Sequence, residues 1–198
     1  MRKDARVRQT ALIGTDGKYI RAYRENGKQV LTLEGVYHHN MITRATNPKY
    51  AEKFPTYSGV SVSEPFKDFQ FFADWCHPQV GFGNQGWVLD KDLLSAERKL
   101  YSEETCVFLP PSVNSFLMRR AAVRNLPLGV TWCESEGKYK AYCSQLNGKN
   151  KTLGRFNNSE EASRAYNTFK LGLRDKLLQE FSTQIDERAV IALKEYTI

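Results

Sequence analysis

The chain has 198 residues, a net charge of +7 and a pI of about 9.2, with 41% hydrophobic and 12% aromatic residues and a mean hydropathy of −0.54. That composition excludes a disordered chain, and no apolar run approaches the ~20 residues a membrane helix needs, so a soluble globular protein with no membrane partner is expected. The length admits one compact unit or two small modules.

The first ten residues, MRKDARVRQT, are charged with no apolar stretch behind them, which gives no support to export through a cleaved signal. Residues 10–33 alternate apolar and polar around Asp16-Gly17 and Asn26-Gly27, turn pairs that predict a small antiparallel sheet. A short helix is expected over 35–47, closed by Asn47-Pro48 and carrying His38 and His39 on or near it, then a loop over 49–57 with Pro55 inside it. Residues 60–76 begin as a strand-like triplet and turn helical after Pro65, with Phe66, Phe69, Phe72 and Ala73 on one face. That aromatic stripe reads as core.

Chemistry concentrates in 79–118. Trp87-Val88-Leu89 leads into Asp90-Lys91-Asp92, a polar stretch follows, Thr105 to Leu109 forms a second strand, and Pro110-Pro111-Ser112 opens a helix containing Asn114. A hairpin ending in an acidic cluster, with a helix behind it that offers an amide, is a compact way to hold one divalent cation against a phosphate. Magnesium-type ions keep several waters and take one or two carboxylates, so a donor set this sparse suffices. The competing reading of Asp90-Lys91-Asp92 is a solvated turn.

Residues 119–127, RRAAVRNLP, are basic, lack an apolar period and end in proline, which marks a linker. A second module follows: three short strands with turns at Ser135-Glu136-Gly137 and Asn147-Gly148. In the middle strand Tyr139, Ala141 and Cys143 point one way, and Lys138, Lys140, Tyr142 and Ser144 the other. Asn158 is placed to cap a helix with Glu161 reaching back, and Ala162, Ala165, Tyr166 and Phe169 recur at helical spacing to cover the apolar face. The other face, with Thr131, Cys133, Lys138, Lys140, Tyr142, Ser144, Asn150 and Thr152, stays open and is able to enter a DNA major groove as strands. An ordinary solvated sheet face is the alternative.

The charge distribution agrees with a polyanionic partner. Basic and acidic side chains number 11 and 5 over 1–59, 4 and 8 over 60–112, 8 and 2 over 113–158, and 6 and 7 over 159–198. Carboxylates for a metal between phosphate-binding surfaces is a pattern that suits a nucleic-acid enzyme. The four cysteines, Cys76, Cys106, Cys133 and Cys143, form no CxxC pair, and a chain of this size needs no disulfide staples, so reduced thiols and a cytoplasmic setting are expected.

From Gly129 to Phe169, the run Gly137-Lys138-Tyr139-x-Ala141, Leu153-Gly154-x-Phe156 and Glu161-Ala162-x-x-Ala165-Tyr166 resembles the APETALA2/ethylene-response-factor DNA-binding domain. The resemblance covers roughly a quarter of the chain and implies three antiparallel strands on one helix, with the sheet reading DNA. Thr131, Cys133, Ser144 and Asn150 stand where plant members carry arginines, so guanine-reading forks are missing and weaker sequence preference follows. The whole chain resembles phage HNH homing endonucleases that carry such a domain. The residues behind this are Asn47-x-x-Tyr50, Pro55-Thr56-Tyr57, Val60-Ser61-Val62, Phe69-x-x-Phe72-x-x-Trp75, Leu89-Asp90-Lys91-Asp92, Tyr101-Ser102-x-Glu104-x-Cys106-Val107-Phe108 and Pro110-x-x-x-Asn114.

That resemblance implies an α+β fold: an N-terminal hairpin and helices leading into a ββα-metal, HNH-like core over 1–118, a basic linker over 119–127, and the APETALA2-type module with a helical tail over 128–198. It implies hydrolysis of a double-stranded DNA phosphodiester, with Asp90 and Asn114 holding Mg²⁺ or Mn²⁺, Lys91 contacting phosphate, and Arg119, Arg120 and Arg124 adding to the DNA-binding set. No small-molecule substrate is implied, and the setting is the cytoplasm of a bacterial host. Lys91 stands where the family places its general-base histidine, and a lysine of ordinary pKa near ~10.4 between two carboxylates stays protonated. Three routes remain open: His38, His39 or His77 reaches the site from another segment, a metal-bound water ionises unaided, or the site is inactive with Lys91 gripping phosphate, which leaves a DNA-binding protein built on a decayed nuclease. Glu104 reads as structural. A protein that binds a host protein through exposed aromatics is a third class, without a motif behind it.

Overall fold

The computed structural model describes residues 17–95, 98–118 and 126–198. Among them two compact units are found: one holds residues up to Gln85 together with Leu89–Phe108, the other Gly86–Val88 with Leu109–Ile198. Helices and small sheets alternate, and the class is α+β.

The first unit opens with the hairpin β1 (Ala22–Glu25) and β2 (Lys28–Leu31), paired antiparallel across Asn26-Gly27. Both turn residues have positive φ, 51° and 76°, the conformation that an Asn-Gly pair adopts most easily. Helix α1 (Leu33–Thr46) starts where the Thr32 hydroxyl accepts from the Gly35 N–H at 3.2 Å. It ends at Asn47, whose side chain accepts from Lys49 and Tyr50 N–H and so caps a second helix, α2 (Pro48–Lys53). The loop expected over 49–57 is therefore mostly helical: Pro48 fits the first helical position, where it has no N–H to lose, and Pro55 opens a single 3₁₀ turn, Pro55–Tyr57.

Strand β3 (Ser61–Val62) leads into α3 (Glu64–Lys67) and α4 (Phe69–Cys76), each capped by the residue before it, Ser63 and Asp68. Phe66, Phe72 and Ala73 are fully buried, as the stripe predicts, and Phe66 meets Phe72 edge to face at 5.2 Å. β4 (Val88–Asp90) pairs with β6 (Val107–Leu109). Between them β5 (Leu100–Tyr101) runs parallel to β3, and the buried Thr105 hydroxyl closes the turn that follows by accepting from the Ser102 N–H at 3.0 Å.

In the second unit α5 (Pro111–Leu117) precedes the antiparallel sheet β7 (Val130–Cys133), β8 (Lys138–Ser144) and β9 (Asn150–Phe156). Helix α6 (Ser159–Phe181) covers one sheet face, and Val130, Ala141 and Ala162 form the buried centre with Tyr139, Leu153, Phe156 and Ala165 around it. Gly129 makes that closeness possible: its φ is +70°, and a Cβ there would run into the Tyr166 ring and lie 2.8 Å from the Tyr142 carbonyl. The helical tail continues as α7 (Glu187–Glu195), held to α6 by Arg174 donating to the Lys194 and Tyr196 carbonyls. Lys170 of α6 is buried, and its Nζ donates to the Phe116 carbonyl at 2.5 Å, neutralising the negative end of α5.

Asn158 caps α6 by accepting from the Glu161 N–H at 2.8 Å, and Phe72 lies fully inside the first unit. Asn158→Ala is expected to cost about 1 kcal/mol and Phe72→Ala about 3–5 kcal/mol. Urea unfolding of the three proteins checks the ratio.

Candidate functional site

Strand β4 delivers Asp90 to its end with the side chain turned inward, 8% exposed. Its Oδ1 accepts from the Asp92 N–H at 3.1 Å and from the Leu93 N–H at 2.8 Å, which folds residues 90–93 into a side-chain-closed turn. Both bonds fall on the same oxygen, so Oδ2 is left for another partner. Burial pushes the Asp90 carboxyl above the usual range, the Leu93 N–H opposes this, and the Asp92 charge adds to it.

Lys91 does not stand out in solvent. It is 4% exposed, its Nζ lies 2.5 Å from Asp92 Oδ1, and it sits 5.9 Å from the Tyr57 ring centre and 5.5 Å from that of Tyr101. An ammonium held this way is paired and screened from an incoming phosphate. Asn114 belongs to α5 in the second unit, is half-buried, and makes no side-chain hydrogen bond among the described residues. Each of these side chains is placed by its own unit.

The histidines have their own partners. His38 is buried between Phe69 and Phe72, with Nε2 3.1 Å from the Phe66 carbonyl, and burial pushes its pKa down so that the ring stays neutral. His77 stacks on Tyr19 at 4.9 Å and pairs with Glu34 at 2.9 Å. His39 is exposed on α1. Glu104 lies 3.5 Å from Arg98 on the surface.

No group of three or more His, Cys, Asp or Glu side chains gathers as a metal cage among the described residues. One inward carboxylate oxygen suits a hard cation that keeps its waters, and not a soft one that needs thiolate or imidazole. Asp90 fits a magnesium-type ion on that ground: a cation at Oδ2 offsets the cost of burying the charge.

The second unit presents the sheet face opposite α6. Across it Thr131 pairs with Lys140 and Lys140 with Arg155, Cys133 pairs with Lys138, Tyr142 with Thr152, and Ser144 with Asn150, whose side chains are joined by a 2.8 Å hydrogen bond. A register shift between Ala141 and Tyr142 leaves Leu153 as an extra residue in β9. Leu153 and Gly154 therefore both fall on the helix side, and Arg155 moves to the open face. Gly154 is required there because a Cβ would lie 2.8 Å from the Phe156 ring. Strict alternation misses Arg155; Leu-Gly inside a strand pattern is the signal that a bulge interrupts it. Arg155 forms an ion pair with Glu136, so part of its charge is answered within the module. Arg119, Arg120 and Arg124 lie outside the described residues.

Comparisons with protein-family models, with curated proteins and with solved structures return no match.

Asp90→Asn and Asp90→Ala separate the turn from the charge. In EDTA the folded-state pKa of Asp90 is raised above the ordinary ~3.9, so burial of the ionised carboxylate carries no penalty below that value, an increasing one as pH rises through the folded pKa, and a constant one above it. Asp90→Asn keeps an oxygen for the two N–H groups and removes the charge, so its stability relative to the native protein should rise from pH 4 to pH 7. Asp90→Ala loses both bonds and should be less stable than Asp90→Asn at every pH. Equal stability of the two variants at pH 7 would remove the turn-closing role.

Proposed function

We propose that this protein acts on double-stranded DNA, gripping it with the open face of the β7-β8-β9 sheet and hydrolysing a phosphodiester at a divalent cation held by Asp90. The observation that carries the DNA reading is the division of the sheet: one face is sealed by α6, while the other keeps Lys138, Lys140 and Arg155 beside short polar side chains. Strands of this kind fit a major groove, and lysines at its edge answer phosphates. Thr131, Tyr142, Ser144, Asn150 and Thr152 supply hydroxyl and amide groups for base edges or backbone. Support for hydrolysis is narrower: the free Oδ2 of a carboxylate whose other oxygen is fixed by two N–H groups. A bound Mg²⁺ or Mn²⁺ polarises the phosphate and lowers the pKa of its water. Asp90 would supply the charge that holds such an ion.

A DNA-binding protein that does not cut is the second reading, and the position of Lys91 favours it. With Lys91 paired to Asp92, His38 bonded to Phe66 and His77 to Glu34, none of these side chains is poised as a general base beside Asp90.

Plasmid cleavage and duplex binding measured together distinguish the readings. On the leading one, magnesium-dependent nicking is expected in the native protein and is lost in Asp90→Asn, while duplex affinity barely changes. Lys138→Ala with Lys140→Ala should weaken duplex binding and reduce the salt slope by about 2, close to the ~0.9 expected per phosphate contact. Lys91→His introduces a group of pKa near ~6.5, and a gain of about 10²–10⁴-fold is expected if proton removal limits the rate. A native protein that shifts duplex DNA yet never nicks it with either metal leaves the binding reading; an unchanged salt slope removes the sheet face.

A further inference from the structure

Several cations of the first unit make no ion pair among the described residues, and one of them sits among phenol rings. Arg44, in the last turn of α1, is half-buried; its Nη1 donates to the Tyr101 hydroxyl at 3.4 Å and its guanidinium carbon lies 5.5 Å from the Tyr57 ring centre. Among the described residues it makes no ion pair with a carboxylate. Lys91 rests on the same two rings, and the contrast is informative, because Lys91 has Asp92 at 2.5 Å. Tyr57 and Tyr101 do not take the place of an anion: burial pushes both phenols up, so both stay protonated at neutral pH. Tyr50 completes the group, packing edge to face on Tyr57 at 5.3 Å.

A guanidinium partly withdrawn from water and answered only by neutral phenols is costly by itself. Its planar fork of donors matches two oxygens of one phosphate, and rings on its flanks fix the plane of the fork. Arg44 and Lys91 meet the same two phenols, Arg44 through the Tyr57 ring and the Tyr101 hydroxyl and Lys91 over both rings, so the two cations flank one pair of tyrosines. Lys91, the residue expected from the sequence to contact phosphate, has its ammonium already engaged.

We propose that Arg44 is a phosphate-binding residue, taking two oxygens of one phosphate group between Tyr50, Tyr57 and Tyr101; resting on the reading above, that group is a backbone phosphodiester of the DNA beside Asp90. The role that the sequence assigns to Lys91 passes to Arg44. Arg44→Lys keeps the charge and loses the fork, and Arg44→Gln loses the charge.

Two measurements on the full chain test this. Inorganic phosphate is titrated while the ring resonances of Tyr57 and Tyr101 are followed by NMR: they should move in the native protein, move less in Arg44→Lys and stay still in Arg44→Gln. Plasmid cleavage, where the native protein shows it, should fall by about 10- to 100-fold in Arg44→Gln, the usual weight of a hydrogen bond to a charged group, with Arg44→Lys in between. Resonances that ignore phosphate in the native protein, or that move equally in folded Arg44→Gln, overturn the proposal. A native protein that never cuts DNA but passes the phosphate titration overturns the nuclease reading alone and leaves Arg44 as a phosphate site.

Discussion

The double acceptance of backbone N–H groups by Asp90 Oδ1 is the constraint on which the candidate site depends. Two bonds to one oxygen fix residues 90–93, and that geometry decides where the neighbours go: Asp92 outward and Lys91 inward, 4% exposed against two phenol rings. Three consecutive charged residues look like a surface turn on composition alone. They fold instead with the first two inside, because one carboxylate substitutes for solvent at two N–H groups and the other for solvent at the ammonium. The same bonds leave Oδ2 of Asp90 with no partner of that kind.

Local rules made the second unit legible. Alternation across β8, the turn at Gly137, the Asn158 cap and the helical spacing from Ala162 to Phe169 are each set within a few residues, and each is found. Arg155 was hidden because one extra residue in β9 inverts the pattern beyond it, and a bulge is decided by the partner strand. Lys151 shows the reverse effect: opposite Cys143 on the helix side, it lays its ammonium 5.0 Å from the Phe169 ring instead of joining the open face.

In the first unit the Asn-Gly hairpin and the aromatic stripe were equally local, whereas the site was not. The pairing of β3 with β5 joins residues about forty positions apart, and it brings Tyr101 to the rings around Arg44 and Lys91. Nothing within a short window around Arg44 distinguishes it from a solvated arginine. The histidines carry the same lesson: His38 is a core residue because α4 and the Phe66 carbonyl pack on it, a fact that its own segment does not contain. The helix over 48–53 was within reach of sequence reasoning, since Asn47-Pro48 both ends one helix and begins the next.

The two sets of cations differ physically, and the difference bears on mechanism. Lys138 is exposed and Lys140 lies on an open sheet, so attraction to phosphate there is long in range, weak in direction and screened by salt over about 10 Å. Such groups hold a duplex without fixing any one phosphate. Arg44 is half-buried, held by a hydroxyl and flanked by rings, and a phosphate meeting it has a defined orientation and less screening. Hydrolysis needs the second kind of contact, because an in-line attack tolerates little misplacement of the phosphorus. If the protein cuts DNA, a Lys91 engaged by Asp92 leaves proton removal to solvent and implies a slow nuclease; without a correctly held phosphate the same pairing describes a protein that binds DNA and leaves it intact.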